Sequence, residues 1–236
     1  MNDSSFDRYA TDYDEALQAG LSVSGEASDF FALSRVRWLS SRLAQRDQKV
    51  DSILDFGCGV GATTKHFLDV FEPSVFQGVD TSSESIKVAR REHLSTKRSA
   101  SCDVRFDCLG DRDLSQQFDL AYCNGVFHHI DLEKRLEAMS FVAGCLRAGG
   151  VFAFWENNPY SLPARYVMSR IPFDHDAVMV WPRQARRLIK QVGLEILGTD
   201  YCFIFPALFS WMRWSEKGLC KIPLGAQYLV LAVKSS

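Results

Sequence analysis

The 236-residue chain has no long apolar run, no paired cysteine motif and almost no net charge. Its longest apolar stretch, residues 201–212, is about half of the roughly 20 residues that a membrane-spanning helix needs. The seven cysteines stand singly, which argues against a disulfide framework and a structural zinc site. Basic and acidic residues number 27 and 29, so there is no general attraction for nucleic acid. We therefore expect a cytoplasmic protein with neither a membrane nor a nucleic acid as its partner.

What the chain does contain is enough apolar material for one large core, because 47% of its residues are hydrophobic. The first residues are acidic and polar, so we expect no signal peptide. Changes in the pattern of apolar and polar residues divide the single expected domain into four parts. They are a helical N-terminal lid (1–50), a cofactor-binding core (51–155), a substrate cap (156–181) and the C-terminal part of a sheet (182–236).

Short apolar runs alternate with helical periodicity from residue 51 onward. The runs predict strands at Ser52–Phe56, Val75–Val79, Asp103–Phe106, Phe118–Cys123, Val151–Trp155, Glu195–Phe205 and Gln227–Val233. The periodic segments predict helices at Gly61–Phe71, Ser83–His93, Leu132–Leu146, Ala164–Arg170 and Pro182–Val192. This alternation is typical of βαβ units, which form a parallel sheet with right-handed crossovers. The rhythm breaks after residue 155, where prolines and polar side chains accumulate.

Three glycines with the spacing G-x-G-x-G, Gly57, Gly59 and Gly61, follow the first predicted strand. Glycine permits a tight turn and a close approach of a ligand to the backbone. Asp55 precedes the loop, and Asp80 ends the second strand, where a carboxylate can accept hydrogen bonds from both ribose hydroxyls. Dinucleotide-binding folds place the last glycine one position later. The pattern thus favours a cationic adenosyl ligand over NAD, the alternative being a turn without a ligand.

The strings D-F-G-C-G-V-G and G-V-D-T-S resemble those of class I S-adenosylmethionine-dependent methyltransferases. The resemblance implies an α/β, Rossmann-like doubly wound sheet, mostly parallel with a C-terminal antiparallel strand. It also implies S-adenosyl-L-methionine as the cofactor and S-adenosyl-L-homocysteine as the product. The cofactor-binding residues that it predicts are Tyr13, Asp55, Gly57, Cys58, Gly59, Asp80, Thr81, Asp107, Cys108 and Asn124.

In that family the glycine loop holds the methionine part of the cofactor and the acid after the second strand holds the ribose. The residue after the third strand meets the adenine, which here indicates Asp107 and Cys108. Asn124 follows the fourth strand, where the backbone of similar enzymes touches the cofactor. Tyr9 and Tyr13 lie on one face of the predicted N-terminal helix. Such a helix folds over the cofactor in similar enzymes, which makes Tyr13 a cofactor contact and Tyr9 a substrate contact.

His128 and His129 follow the fourth predicted strand, where the transferring methyl group passes in similar enzymes. The unperturbed pKa of histidine lies near neutral pH, so either residue is a candidate general base. Two adjacent histidines favour at least one facing the cleft, although capping or core packing is the alternative for each. Metal-dependent quinone O-methyltransferases carry E-x-x-E-H here, whereas this chain has Gly125 and His128 in place of the carboxylates. No metal is therefore expected.

The string Glu156-Asn157-Asn158-Pro159-Tyr160 follows the fifth predicted strand. We interpret Asn157, Asn158 and Tyr160 as substrate-binding residues and Glu156 as a rival catalytic base, while a rigid structural cap is the alternative. Asn158-Pro159-Tyr160 also invites comparison with the motif of methyltransferases that act on nucleic-acid bases. That motif follows the fourth strand, however, and the segment has no basic channel.

The sequence as a whole predicts methyl transfer to an O, N or C nucleophile of a small polar molecule. The strings at residues 171–178 and 223–228 resemble a bacterial-type subgroup of small-molecule methyltransferases, which favours glycan or secondary-metabolite biosynthesis. Methylation of a nucleic-acid base and a non-catalytic cofactor-binding partner protein are the alternatives. We expect a monomer or a homodimer.

Overall fold

A seven-stranded sheet forms the centre of the computed structural model, which describes residues 24–93, 101–110, 117–171 and 177–235. The strands are β1 (Ser52–Phe56), β2 (Val75–Asp80), β3 (Asp103–Cys108), β4 (Phe118–Asn124), β5 (Leu146–Asn157), β6 (Leu194–Cys202) and β7 (Gln227–Lys234). Their order across the sheet is β3-β2-β1-β4-β5-β7-β6. Pairing is parallel from β3 to β5, and β7 runs antiparallel to both β5 and β6.

This topology confirms the predicted Rossmann-like fold with its antiparallel C-terminal strand. The chain winds outward from β1 to β3 on one side and then returns to the centre to start β4 beside β1. A ligand of a doubly wound sheet binds outside the carboxyl ends of the strands at this reversal. The fold therefore places the residues that follow β1 and β4 at the expected ligand site.

Seven α-helices lie around the sheet in the described part of the chain. They are α1 (Ser28–Ala44), α2 (Thr64–Phe71), α3 (Ser83–His93), α4 (Arg135–Cys145), α5 (Leu162–Arg170), α6 (Pro182–Gln191) and α7 (Glu216–Leu219). Two 3₁₀ helices, Phe127–His129 and Ala207–Ser215, complete the set. None of the described helices combines the length and the apolar character that a membrane span requires.

The fifth strand is longer than its sequence pattern predicts. β5 starts at Leu146, directly after α4, and its register against β4 shifts between the pairs Phe118–Leu146 and Leu120–Val151. This irregularity accommodates the glycine pair, Gly149 and Gly150, inside a strand rather than in a loop before it. At its other end β5 continues to Asn157, so two residues that were predicted to lie beyond the strand belong to it.

The two faces of the sheet carry separate apolar clusters, and α1 covers one of them. Ile53 of β1 belongs to the cluster that contains Val36 and Leu39 of α1, whereas Leu54 belongs to the cluster on the other face. Side chains alternate along a strand, so Asp55 points to the same face as Ile53. The helix α1 therefore packs on the side of the sheet toward which this carboxylate is directed.

Candidate functional site

The glycine loop after β1 is shaped by its contact with the segment after β4. Gly57 has a φ of +76°, and a Cβ atom there would lie 2.2 Å from Val126 Cγ2. Gly59 has a φ of +52°, but apart from its two chain neighbours no described residue lies within 4 Å of the position that its Cβ would take. Gly57 is thus required by close packing, while the space above Gly59 is open to a ligand.

Asp80 connects the glycine loop to the end of β2. Its Oδ2 accepts a hydrogen bond from the Gly59 N–H at 2.8 Å, and its Oδ1 accepts one from the Ser82 N–H at 2.9 Å. The Ser82 side chain in turn accepts from the Ser85 N–H at 3.2 Å, as expected for a helix N-cap. These two backbone hydrogen bonds orient the Asp80 carboxylate at the end of β2, where a carboxylate can accept hydrogen bonds from ribose hydroxyls.

A cavity of about 740 Å³ lies along the carboxyl ends of β1, β2 and β4. Its wall contains most of the residues predicted to bind a cofactor, namely Asp55, Gly57, Cys58, Gly59, Asp80, Thr81 and Asn124. His129 of the histidine pair also lines it. The structure therefore brings together the glycine loop, the acid after β2 and the segment after β4, which lie up to about 70 residues apart in the sequence.

Asp107 and Cys108 lie outside this wall. Gln77 Nε2 donates to Asp107 Oδ2 at 3.0 Å, and Arg90 Nη2 donates to Asp107 Oδ1 at 3.0 Å. The neighbouring Leu109 lines the cavity instead. The end of β3 thus presents an apolar side chain to the cavity and keeps its carboxylate in an ion pair. Tyr9 and Tyr13 fall outside the described residues, so their assignment stays a prediction.

Asp55 is a buried carboxyl in the cavity wall. Burial raises its pKa to about 7, the negative charge of Asp80 adds to this rise, and the Arg35 guanidinium opposes it. Within the described part of the chain, no group donates a hydrogen bond to the side-chain carboxyl of Asp55. A positively charged ligand group beside it would favour the ionised form.

Asn124, the last residue of β4, also offers an acceptor to the cavity. Its side-chain Oδ1 is buried and has no hydrogen-bond partner among the residues that the structure describes. Because an unsatisfied buried acceptor is costly, a ligand that carries an N–H or O–H group fits this position. Asp55 and Asn124 thus give the cavity wall two side-chain acceptors that a ligand with N–H or O–H donors could bind.

Arg35 and Tyr122 are cavity residues that the sequence analysis missed. Arg35 Nε donates to the Tyr122 hydroxyl at 3.0 Å, and Nη1 donates to Gln227 Oε1 at 3.1 Å. Gln227 Nε2 donates onward to Asn157 Oδ1 at 3.1 Å. The signal was present in the sequence, because Arg35 falls four residues from both Phe31 and Leu39 and so lies on the apolar stripe of the predicted helix.

The two histidines after β4 have different surroundings. His129 lines the cavity, whereas His128 is 4% exposed and lies behind it. The His128 N–H donates to Glu156 Oε1 at 3.2 Å, and His128 Nδ1 lies 2.6 Å from Glu156 Oε2. Glu156 is 1% exposed, so it is enclosed with its partner rather than open to a ligand. The two imidazole rings are 4.0 Å apart between centroids.

The turn that carries these histidines is also held by Arg135 of α4. Its Nε donates to the Ile130 carbonyl at 2.9 Å and its Nη2 to the Val178 carbonyl at 2.7 Å. The Val178 N–H donates to the His128 carbonyl at 2.9 Å. Burial lowers the pKa of Arg135, and the negative charge of Glu156 opposes this change. A buried polar network therefore fixes the segment from which His129 enters the cavity.

Asn157, Asn158 and Tyr160 do not line the cavity. Asn157 bonds to Gln227, as described above. Asn158 is fully buried and donates from Nδ2 to the Pro223 and Gly225 carbonyls at 3.2 and 2.7 Å. Tyr160 is 47% exposed and packs edge-on against Trp181 at 5.1 Å between ring centroids. Asn157 and Asn158 support the junction between β5 and the start of β7, and Tyr160 packs beside the start of α6. The substrate-binding role of all three stays a prediction.

A family model of the methyltransferase domain matches residues 54–152, which run from β1 through most of β5. The matched segment contains the glycine loop, Asp80, Asn124 and both histidines. Residues 54–152 are thus similar to a methyltransferase domain. S-adenosyl-L-methionine is the cofactor of this domain. The hydroxyl and ammonium donors of such a cofactor are chemically matched by the carboxylate and amide acceptors in the cavity wall.

Two curated relatives match the methyltransferase domain over part of their length. An uncharacterised methyltransferase of Schizosaccharomyces pombe is 30% identical over 118 residues, which are 43% of this chain and 41% of the relative. A fatty-acid O-methyltransferase of Mycolicibacterium smegmatis is 27% identical over 164 residues, which are 67% of this chain and 55% of the relative. The chain thus spans about half or less of the length of these relatives.

Two solved structures share the fold of this chain over nearly all its length. Magnesium protoporphyrin IX methyltransferase of Synechocystis with bound S-adenosylhomocysteine has a TM-score of 0.64 at 16% identity, with 97% of each chain covered. A methyltransferase in complex with the Trm112 activator of Haloferax volcanii has a TM-score of 0.62 at 18% identity, with 98% of each chain covered. The protein partner of that neighbour does not fit our expectation of a small molecule and a second copy as the partners.

Within the part of the chain that the structure describes, no cluster of three or more histidine, cysteine or acidic side chains could hold a metal ion. All seven cysteines are free thiols. Burial raises the pKa of the Cys58 thiol in the cavity wall well above its ordinary value, and the carboxylates Asp55 and Asp80 raise it further. Cys58 is therefore a neutral packing residue and not a thiolate nucleophile.

Proposed function

We propose that this methyltransferase transfers a methyl group to an O, N or C nucleophile of a small polar molecule, as in glycan or secondary-metabolite biosynthesis. The observation that carries the proposal is the cavity that joins the Asp80-anchored glycine loop to His129. When bound, S-adenosyl-L-methionine supplies an electrophilic methyl group. The chain's own residues would hold donor and acceptor in line and exclude water.

Cofactor binding would use the residues at the ends of β1, β2 and β4. Asp80 would accept hydrogen bonds from the ribose hydroxyls, because two backbone N–H groups already fix its orientation. Asp55 and the free acceptor of Asn124 would receive the ammonium group. Leu109 would contact the adenine in place of the predicted Asp107 and Cys108.

His129 would remove a proton from an acceptor that has one to lose. It lines the cavity, whereas the other two candidate bases, His128 and Glu156, are enclosed behind it. We interpret that enclosed pair as a support that holds the turn and so aims His129. In this proposal His129 is the general base, and His128 is a positioning residue.

Known acceptors of similar proteins favour a small molecule over a nucleic-acid base. One relative is named for a fatty acid and one structural neighbour for magnesium protoporphyrin IX. The near-neutral charge of this chain agrees with such an acceptor. Free cysteines throughout are consistent with a reducing compartment.

The test is a turnover assay that follows S-adenosylhomocysteine release over a panel of small acids, phenols, amines and a short RNA. We expect turnover with at least one small molecule and none with RNA. Wild type and His129→Ala are compared, with Asp119→Asn as the control because Asp119 holds the opposite end of β1 through the Asp51 and Ser52 N–H groups. Methylation of RNA alone would contradict the proposal.

A further inference from the structure

A second group of aromatic and basic side chains lies at the carboxyl edge of the sheet, outside the wall of the cavity. Tyr160 follows β5 and Trp181 precedes α6, and their rings pack edge-on with centroids 5.1 Å apart. Both side chains stay nearly half exposed, at 47% and 44%. They therefore present apolar ring surface with polar tips to a ligand. The group, called the aromatic–arginine cluster below, consists of Tyr160, Trp181, Arg183, Arg186 and Tyr201.

Strand β6 brings Tyr201 to this edge. Both β5 and β6 run antiparallel to β7, which lies between them, so their carboxyl ends lie on the same edge of the sheet. Tyr201 is the register partner of Tyr228, and the two ring centroids are 6.3 Å apart. The Tyr228 hydroxyl donates to the Val180 carbonyl at 2.8 Å. Tyr201 thus lies beside the segment that leads into α6.

Helix α6 places two arginines next to these rings. Arg186 Nη1 donates to the Thr199 hydroxyl of β6 at 2.9 Å. The chain reverses between α6 and β6, so Arg183, one helical turn before Arg186, lies toward the carboxyl end of β6. Burial raises the pKa of Tyr201, and the Tyr160 hydroxyl raises it further. The charges of Arg186 and Arg183 oppose this rise, so both guanidinium groups act on the phenol.

The positive charge of the cluster has no carboxylate partner in the described part of the chain. Arg186 donates to a neutral hydroxyl, and neither it nor Arg183 forms an ion pair with a described acidic residue. Helix α6 carries four basic side chains and no acidic one, and its N-terminus adds partial positive charge at the same edge. Guanidinium groups beside exposed aromatic rings match a ligand that is both planar and anionic.

The cluster is connected to the turn that carries His129. The Val178 N–H donates to the His128 carbonyl at 2.9 Å, and Trp181 follows Val178 by three residues, at most about 11 Å of extended chain. In the order of the strands, the turn after β4 stands between Asp80 at the end of β2 and the cluster at the ends of β5 and β6. The cluster is therefore on the histidine side of the cavity, away from Asp80.

We propose that the aromatic–arginine cluster binds the methyl acceptor, and that this acceptor is an aromatic acid, a planar ring with a carboxylate or a phosphate. Arg183 would offer parallel N–H donors to the anionic group, and Tyr160 and Trp181 would cover the ring. The inference rests on the proposed function in taking the His129 side of the cavity as the acceptor side. No covalent step is part of it.

Calorimetry on the full chain saturated with S-adenosylhomocysteine tests this assignment. The probes are benzoate and phenyl phosphate, with phenol as the ring without a charge and acetate as the charge without a ring. The variants are Arg183→Gln, Tyr160→Leu and Lys190→Gln. Lys190→Gln is the matched control, because Lys190 is an exposed cation of the same helix about 10 Å from Arg183, toward the opposite edge of the sheet.

Benzoate or phenyl phosphate should bind wild type at least about tenfold more tightly than phenol and acetate, and the tighter anion identifies the acid group of the acceptor. Arg183→Gln should weaken that anion by about tenfold and leave phenol within twofold. Tyr160→Leu should weaken it by about 3- to 10-fold, and Lys190→Gln should leave it within twofold. Equal affinity for the anions and phenol overturns the inference. Equal losses in Arg183→Gln and Lys190→Gln, or acetate binding as tight as that of benzoate, also overturn it.

These binding measurements need no turnover. A wild-type protein that binds benzoate through Arg183 but methylates no small molecule would contradict the proposed function and leave the cluster's anion site intact. Turnover of an acceptor whose KM is the same in wild type and Arg183→Gln would contradict the acceptor site alone. The two failures are therefore distinguishable.

Discussion

Replacement of Asp55 by asparagine should stabilise the ligand-free protein at high pH but not at low pH. The pKa of Asp55 rises from 3.8 to about 7 because the carboxyl is buried near Asp80. The folded state then binds the proton more tightly than the unfolded state. Between these two pKa values the folded state holds more protons, so stability falls as the pH rises. Asparagine has no proton to lose, and Asp55→Asn removes this dependence.

The size of the effect follows from the separation of the two pKa values. Full ionisation of Asp55 costs about 4 kcal/mol of folding free energy, from about 3 pH units at 1.36 kcal/mol each. Between pH 5 and pH 8 the wild type should lose about 3 kcal/mol through this group. The stability of Asp55→Asn relative to wild type should therefore be about 3 kcal/mol more favourable at pH 8 than at pH 5.

Urea unfolding of both proteins at the two pH values measures this difference. Other titrating groups cancel, because each comparison is made at one pH. Asp119→Asn is the control. Burial raises the pKa of Asp119, but the Asp51 and Ser52 N–H groups and the charge of Arg147 outweigh this and lower it below 3.8. The loss in the free energy of unfolding that Asp119→Asn causes should therefore be equal at pH 5 and pH 8. An Asp55→Asn effect that is also equal at both values would refute the reasoning.

Three further substitutions test the rest of the site. Asp80→Ala should weaken S-adenosylhomocysteine binding by about 1.5–3 kcal/mol in calorimetry, because charge-assisted ribose bonds and the Gly59 anchor are lost; unchanged affinity in a folded variant would remove Asp80 from the site. Gly57→Ala should lower the free energy of unfolding by at least about 1–3 kcal/mol, since the new Cβ would meet Val126 at a positive φ, whereas Gly144→Ala in α4, where the Cβ has open space, should not destabilise the protein. His129→Ala should lower kcat by about 10²–10⁴-fold and leave S-adenosylhomocysteine affinity within about threefold; near-normal kcat with the true acceptor would reject the base role.

The fold was predictable because each strand and helix carries its own local signal. The apolar runs located all seven strands, and the periodic segments located five of the helices within a few residues. Local signals also placed the glycine loop, Asp80 and Asn124 at the carboxyl ends of their strands. The sheet order follows from the family resemblance rather than from any local pattern, since it depends on contacts between distant segments.

The site beyond the glycine loop was less predictable because it depends on which way a side chain points. The sequence suggested one polar string after the fifth strand, with Glu156 and Asn157 acting side by side. In the structure β5 extends through both residues, and alternation directs them to opposite faces. Asn157 reaches the Arg35 network under α1, whereas Glu156 reaches His128 on the other face. Because the sequence predicts that the fifth strand ends at Trp155, it could not assign Glu156 and Asn157 to opposite faces of the sheet.

The turn after β4 contacts both the buried Glu156 and the cavity. His128 is bound to Glu156 from the face opposite α1, and His129 lines the cavity next to the glycine loop. Val126 of this turn packs against Gly57 closely enough to exclude any side chain there. A shift of the turn would therefore displace the loop that is held to Asp80 as well as His129. The cofactor side and the proton-accepting side of the cavity are thus linked by the contact between Val126, in the turn after β4, and Gly57, in the glycine loop. Substitutions of the buried Glu156 should for that reason alter turnover through His129 more than they alter the overall fold, which Asp119 and the apolar clusters hold elsewhere.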